Sequence, residues 1–348
     1  MSESQIVDSV TVQVSPSVLR SLGTKLVLNR EPFLVKGQPG VGKTDCLEWI
    51  AKDAKHDLIL SHPVVSDPTD YKGLPALMKD GKHAEFIPIG DLHRALKAKK
   101  PTVFYLDDLG QAPPLTQAAC MQLLLARRIN DHKIPDCVTF VAATNRKEDR
   151  AGVSSILEPV KSRFITILEL GVNLEDWLSW GMENDMPAAL LGYVSYDPSV
   201  LTAFKATADV VNSPSPRTLA GAGRLMNMGL PHQELVPALA GAIGEGHAAG
   251  LFGFIKIGDS MPDPDMALEK PNKFVLPQGL AAQVLYLFCV SIAFRAEKAN
   301  MRACITVLET MRLEYQAMAI NLIVRNDEKC RNTEAYIDWQ SKNASTFL

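Results

Sequence analysis

Gly37-Gln38-Pro39-Gly40-Val41-Gly42-Lys43-Thr44 decides how the chain is read: a glycine, four free positions, then Gly-Lys-Thr. Glycines let the backbone turn its N–H groups inward around a phosphate chain, where a side chain at Gly40 or Gly42 would collide with it. Lys43 is spaced to reach β- and γ-phosphates, and Thr44 to offer a hydroxyl to Mg²⁺. Working outward, Pro32 to Lys36 reads as a short buried strand and Lys43 to Lys52 as a helix. A strand, loop and helix in that order presents an anion to a helix N-terminus.

Further strands are expected at Asp57 to Ser61, Thr102 to Leu106, Val138 to Ala143 and Ile165 to Leu170, with a helix from Leu115 to Arg127. Five strands alternating with helices predict an α/β fold with a mostly parallel sheet covered on both faces. Ser15-Pro16-Ser17 opens a helix to about Asn29, placed beside the nucleotide. Leu77-Met78-Lys79 and Ala84 to Ile87, flanking Asp80-Gly81, read as a small hairpin near 77–87.

From about Asn173 the strand pattern stops. Helices are expected at Leu174 to Met182, Ala188 to Tyr193, Pro216 to Met228, His232 to Ile243 and Ala248 to Ile255. Proline-rich 259–276 reads as a linker, followed by helices at Pro277 to Lys298 and Met301 to Ile323 and a polar tail.

Carboxylates and amides at strand ends supply the chemistry. Asp107 ends an apolar strand where a carboxylate holds Mg²⁺, across from Thr44, and Asp108 is placed to orient an attacking water. Asn145 ends the next strand, where an amide can bond both a γ-phosphate and the water. Arg163, before the last strand, and Arg217, after Ser213-Pro214-Ser215-Pro216, offer fixed positive charge to a transferring phosphoryl group.

Composition narrows the function classes. The chain has 348 residues, 36 Lys and Arg against 39 Asp and Glu, and a net charge of −3, which leaves no electrostatic footprint for nucleic acid or an anionic membrane. Six cysteines without Cys-x-x-Cys spacing signal neither a metal site nor a disulfide framework, and a reducing cytoplasm is the expected compartment. The opening Met-Ser-Glu-Ser-Gln lacks the basic and apolar regions of a secretory signal. Gly279 to Phe294, the longest uncharged apolar run, is short of a membrane span.

In this order the motifs resemble the AAA+ ATPases and, within them, the MoxR-like group. The closer likeness lies in Asp67-Pro68-Thr69-Asp70-Tyr71-Lys72-Gly73-Leu74-Pro75, in Ala143-Thr144-Asn145-Arg146 with Asp149-Arg150-Ala151-Gly152, and in Ser213 to Arg217. The resemblance covers about residues 15–260 and implies a P-loop NTPase αβα sandwich with a five-stranded core over 1–171 and an α-helical lid over 172–260; the linker and C-terminal helical extension over 261–348 are read from the residues alone. It implies Mg²⁺-dependent ATP hydrolysis in a hexameric ring with ATP between subunits. By position Gly37 to Thr44 corresponds to Walker A, Asp107 and Asp108 to Walker B, Asn145 to sensor 1, Arg163 to the arginine finger and Arg217 to sensor 2. The hairpin looks like the helix-2 insert of this group.

The same resemblance implies a chaperone-like remodelling ATPase acting on a protein partner, a von Willebrand factor A domain protein being the partner class. Two alternatives remain open in the sequence: a nucleic-acid motor, and a slowly hydrolysing nucleotide-gated switch or scaffold. The last rests on a departure from the pattern, because the second Walker B acid is usually glutamate and here is Asp108. Its carboxylate is set back by about 1.5 Å, and misplacement on that scale can slow hydrolysis about a hundredfold.

Overall fold

The computed structural model describes residues 13–79, 81–130, 132–149, 156–207 and 209–344, in two compact units that divide between Val172 and Asn173. Asp80 of the expected turn and Arg150-Ala151-Gly152 lie outside the described residues.

In the first unit, β1 (Gln13–Val14), β2 (Phe33–Gly37), β3 (Asp57–Ser61), β6 (Thr102–Leu106), β9 (Val138–Asn145) and β10 (Thr166–Leu170) form one parallel sheet in the order β1-β10-β2-β9-β6-β3. The α/β expectation therefore holds, with one correction. The sheet has six strands instead of five, because Gln13 and Val14 pair with Glu169 and Leu170 at its edge. A two-residue strand is too short to leave an alternation in the sequence.

Period-two alternation explains why both faces are covered. Leu34, Phe104, Leu106, Phe140 and Ala142 point to one face, into a core closed by α3 (Pro68–Lys72), α4 (Gly90–Leu96), α5 (Pro114–Ala126) and α6 (Glu158–Lys161). Phe33, Val35, Val103, Tyr105, Val141 and Ala143 point to the other, against α1 (Pro16–Leu28) and α2 (Lys43–Asp53). Ser15 caps α1 and Pro16 occupies its first turn, as the sequence expects.

The hairpin is present but shifted. It pairs β4 (Leu74–Leu77) with β5 (Ala84–Ile87), Leu74 opposite Ile87 and Leu77 opposite Ala84, so its first strand starts before Leu77 and not at it. Pro75, which cannot donate, is tolerated because the ribbon has only two strands. A second small hairpin, β7 (Arg128–Ile129) with β8 (His132–Lys133), left no signal in the sequence.

The second unit is helical in its described residues: α7 (Leu174–Glu183), α8 (Ala188–Tyr196), α9 (Pro216–Asn227), α10 (His232–Ile243), α11 (Glu245–Gly258), α12 (Pro264–Glu269), α13 (Ala282–Arg295), α14 (Met301–Leu308), α15 (Leu313–Asn326) and α16 (Glu334–Asn343). Three expectations are corrected here. The linker contains α12, which Asp263 caps. The run from Met301 to Ile323 is two helices, since Thr310 Oγ1 donates to Val307 O and Gln316 Nε2 to Met311 O, closing α14 and starting α15. The polar tail holds α16, capped by Thr333 and anchored by buried Trp339. No helix among the described residues is long and apolar enough to cross a membrane.

Candidate functional site

Strand β2 lies between β10 and β9, with Gly37 opposite Asn145, so the phosphate-type loop leaves the sheet beside the end of β9. That is the carboxyl edge at which open parallel sheets bind ligands. Gly40 and Gly42 have φ of 75° and 97°, the left-handed region that a side chain disfavours. A Cβ at Gly42 would meet nothing nearer than Asp45 Oδ2 at 3.8 Å, so it is backbone conformation and not crowding that favours glycine there. Gly42 is also the N-cap of α2 and gives that helix no side-chain cap, leaving its first turn for an external anion.

Lys43 is only 7% exposed. Its ammonium donates to Gly37 O at 3.0 Å, Gln38 O at 3.1 Å and Asn145 Oδ1 at 2.6 Å. Beside it Thr44 Oγ1 donates to Asp107 Oδ2 at 3.0 Å. Asp107, 8% exposed, is fixed from behind, where Tyr105 O–H donates to its Oδ1 at 2.6 Å and the Asp108 amide to the same atom at 3.0 Å. Burial and then the Asp107 carboxylate push the Tyr105 phenol far up, so it stays a donor.

Asp108 sits at φ 53°, in a conformation that aspartate tolerates better than most residues. Its Oδ1 accepts from Gln111 Nε2 at 2.7 Å and lies 3.5 Å from Asn145 Nδ2. Gly110 makes this turn possible, because a Cβ there would come 2.2 Å from Thr144 Oγ1. Seven of the residues proposed from sequence are thus gathered at one edge: Gly37, Gln38, Lys43, Thr44, Asp107, Asp108 and Asn145. Pro39, Gly40, Val41 and Gly42 complete the loop between them.

The two arginines belong to different units. Arg163 follows α6 in the first unit, and its Nε is buried with no hydrogen-bond partner among the described residues. Arg217 is the second residue of α9 in the other unit and is exposed, held there by a capping box of Ser215 and Thr218. A cation in a first helical turn faces the positive end of the helix dipole and is disfavoured by about 0.3–1 kcal/mol. Tyr105 and Gln111 are the site residues that sequence reasoning missed. A tyrosine inside an apolar strand reads as core, and Gln111 falls in a short turn that no periodicity marks.

The donor set fits a metal-bound nucleoside triphosphate. Among the described residues no cluster of three or more His, Cys, Asp or Glu could cage a metal by itself. A hydroxyl and one carboxylate are instead what Mg²⁺ takes from a protein when phosphate oxygens and water supply the rest. Gln38 Nε2, buried in the loop without a partner among the described residues, offers a further donor.

No protein-family profile and no curated protein matches the sequence. Among solved structures, the chain is similar to RuvB of Thermotoga maritima, a Holliday junction branch migration motor, at 17% identity and TM-score 0.39, covering 87% of this chain and 86% of that one. Its P216G mutant aligns at 15% identity and TM-score 0.41, over 92% and 85%. NtrX from Brucella abortus in complex with ADP aligns at 14% identity and TM-score 0.41, over 95% of this chain and 68% of that one. Superpositions this loose carry nothing about chemistry.

Proposed function

We propose that the chain is an ATPase of AAA+ type that binds Mg-ATP at Gly37 to Thr44 and hydrolyses it. One observation carries the reading: Lys43 meets Asn145 at 2.6 Å while the adjacent Thr44 meets Asp107 at 3.0 Å. Three segments far apart in sequence thereby converge on the two side chains whose spacing suits a triphosphate and its metal.

Bound Mg-ATP supplies the phosphoryl group and the cation that offsets charge on it. Lys43 binds the phosphates, and it can do so by exchanging the Asn145 amide for a phosphate oxygen. Thr44 and Asp107 hold the metal, with Tyr105 keeping Asp107 in place. Asp108 orients and deprotonates water, and Asn145, released from Lys43, positions it. Arg163 and Arg217 supply charge to the transferring group.

Assembly into a ring, Arg163 serving a neighbouring copy, and remodelling of a protein partner complete the proposal. Their support is the resemblance of the motifs and an exposed apolar hairpin, with Leu77 70% accessible. The MoxR-like assignment and a von Willebrand factor A domain partner rest on the resemblance alone. A nucleotide-gated switch is favoured by one observation, the Gln111 bond that holds the short Asp108 side chain. Single-turnover hydrolysis distinguishes them.

The test is a pair of variants. Lys43→Ala loses nucleotide binding, whereas Arg163→Ala keeps binding and loses turnover. Normal binding by Lys43→Ala overturns the site, and normal turnover by Arg163→Ala overturns the arginine's role.

A further inference from the structure

Glu169 is an acid on the strand next to the sheet's β1 edge, 7% exposed, on the face opposite the phosphate-type loop's helix. It lies on β10 level with Gln13 of β1 and Lys36 of β2, and Lys36 is level with Thr144 of β9. Both its oxygens have partners. Lys36 Nζ is 2.7 Å from Oε2, Gln13 Nε2 donates to Oε1 at 2.9 Å, and Arg146 Nη1 is 3.6 Å from Oε1. Arg146 is itself locked by Asp149, through Nε at 2.9 Å and Nη2 at 2.8 Å.

The neighbours of these cations in sequence make the arrangement more than a structural ion cluster. Lys36 directly precedes Gly37, the first residue of the loop, and Arg146 directly follows Asn145, the amide that meets Lys43. Alternation sends Lys36 and Arg146 to one face while Gly37 and Asn145 serve the other. A single buried carboxylate therefore grips, from behind, the two backbone points between which the candidate nucleotide site hangs.

Resting on the nucleotide-site reading above, we propose that Glu169 is a positioning residue for that site, acting through Lys36 and Arg146. The alternative, a purely structural ion cluster, changes stability but not the geometry of the loop. Electrostatics separates the two cleanly. Removing an anion near a polyanion site would by itself tighten nucleotide binding, so weaker binding in its absence has to come through position.

The experiment compares Glu169→Gln, Lys36→Met and the double variant with wild type, using a fluorescent adenine nucleotide and amide hydrogen exchange of the nucleotide-free protein. Glu169→Gln is expected to weaken nucleotide binding about tenfold and to speed exchange across 37–44 and 144–147. Lys36→Met is expected to do the same, with the double variant no worse than either. Wild-type affinity and exchange in Glu169→Gln, tighter binding, or additive effects overturn the proposal. If Glu169→Gln does not fold, Lys36→Met is judged on amide exchange across 37–44 and 144–147 in the nucleotide-free protein, because losing a cation weakens nucleotide binding by charge alone, and wild-type exchange there overturns the proposal. Lys43→Ala runs alongside: if it binds nucleotide normally, the site reading has failed, whereas loss in Lys43→Ala with wild-type behaviour in Glu169→Gln fails this proposal alone.

Discussion

Asp108 shows how one residue can be legible in kind and not in setting. Its place after an apolar strand pointed to water activation, but nothing in the sequence gave away its left-handed backbone or the Gln111 bond. Both bear on the substitution that restores the usual acid. Asp108→Glu is expected to raise turnover, because the added methylene returns the reach, and to lower stability by about 1 kcal/mol, because glutamate bonds its own backbone less well at positive φ. Steady-state rates and chemical denaturation check this, and an unchanged or lower rate contradicts it. Glu169 makes a second residue-level prediction. Burial raises its pKa, but Lys36, Gln13 and Arg146 outweigh burial and leave it below its ordinary 4.5. A carboxylate held low when folded contributes stability that is complete above that value and lost as pH falls through the lower folded one. Stability of wild type should therefore fall more steeply below about pH 4.5 than that of Glu169→Gln, in urea titrations across that window. Equal slopes would mean that the cations do not hold it.

At the scale of elements, long periodic segments were readable and short or capped ones were not. Strands β3 and β6 and helix α10 fall where apolar runs put them, because burial on both faces or one stripe leaves a continuous signal. Strands β1, β7 and β8 are two residues each, and tertiary pairing alone creates them. The break between α14 and α15 was hidden because Thr310 and Gln316, which make it, are polar residues that also suit a helix surface. Helix α16 reads as a tail in the sequence because its apolar content is one main anchor. Trp339 Nε1 donates to Gln316 Oε1 at 2.8 Å in a buried setting, tying α16 to α15. Trp339→Phe removes the donor, leaves that acceptor unpaired, and should destabilise the chain by about 1–3 kcal/mol in chemical denaturation. A change under a few tenths would mean that α16 docks by shape alone.

For the whole molecule, the sequence carried the parallel-sheet core and the switch from strands to helices near residue 173, and the chain divides into two compact units between Val172 and Asn173. What assembles from it is a matter for solution measurement. If Arg163 completes a neighbour's site, turnover per chain rises with protein concentration, and mixing Lys43→Ala with Arg163→Ala restores turnover that neither has alone. Concentration-independent turnover with no rescue places that arginine elsewhere. All of this presupposes that Gly37 to Thr44 grips a triphosphate with Asp107 sharing its metal. Calorimetric titration of the purified chain with ATP, with and without Mg²⁺, tests that most directly. Saturable binding that strengthens with Mg²⁺ and disappears in Lys43→Ala is the predicted result, and a chain that binds no adenine nucleotide in either condition contradicts it.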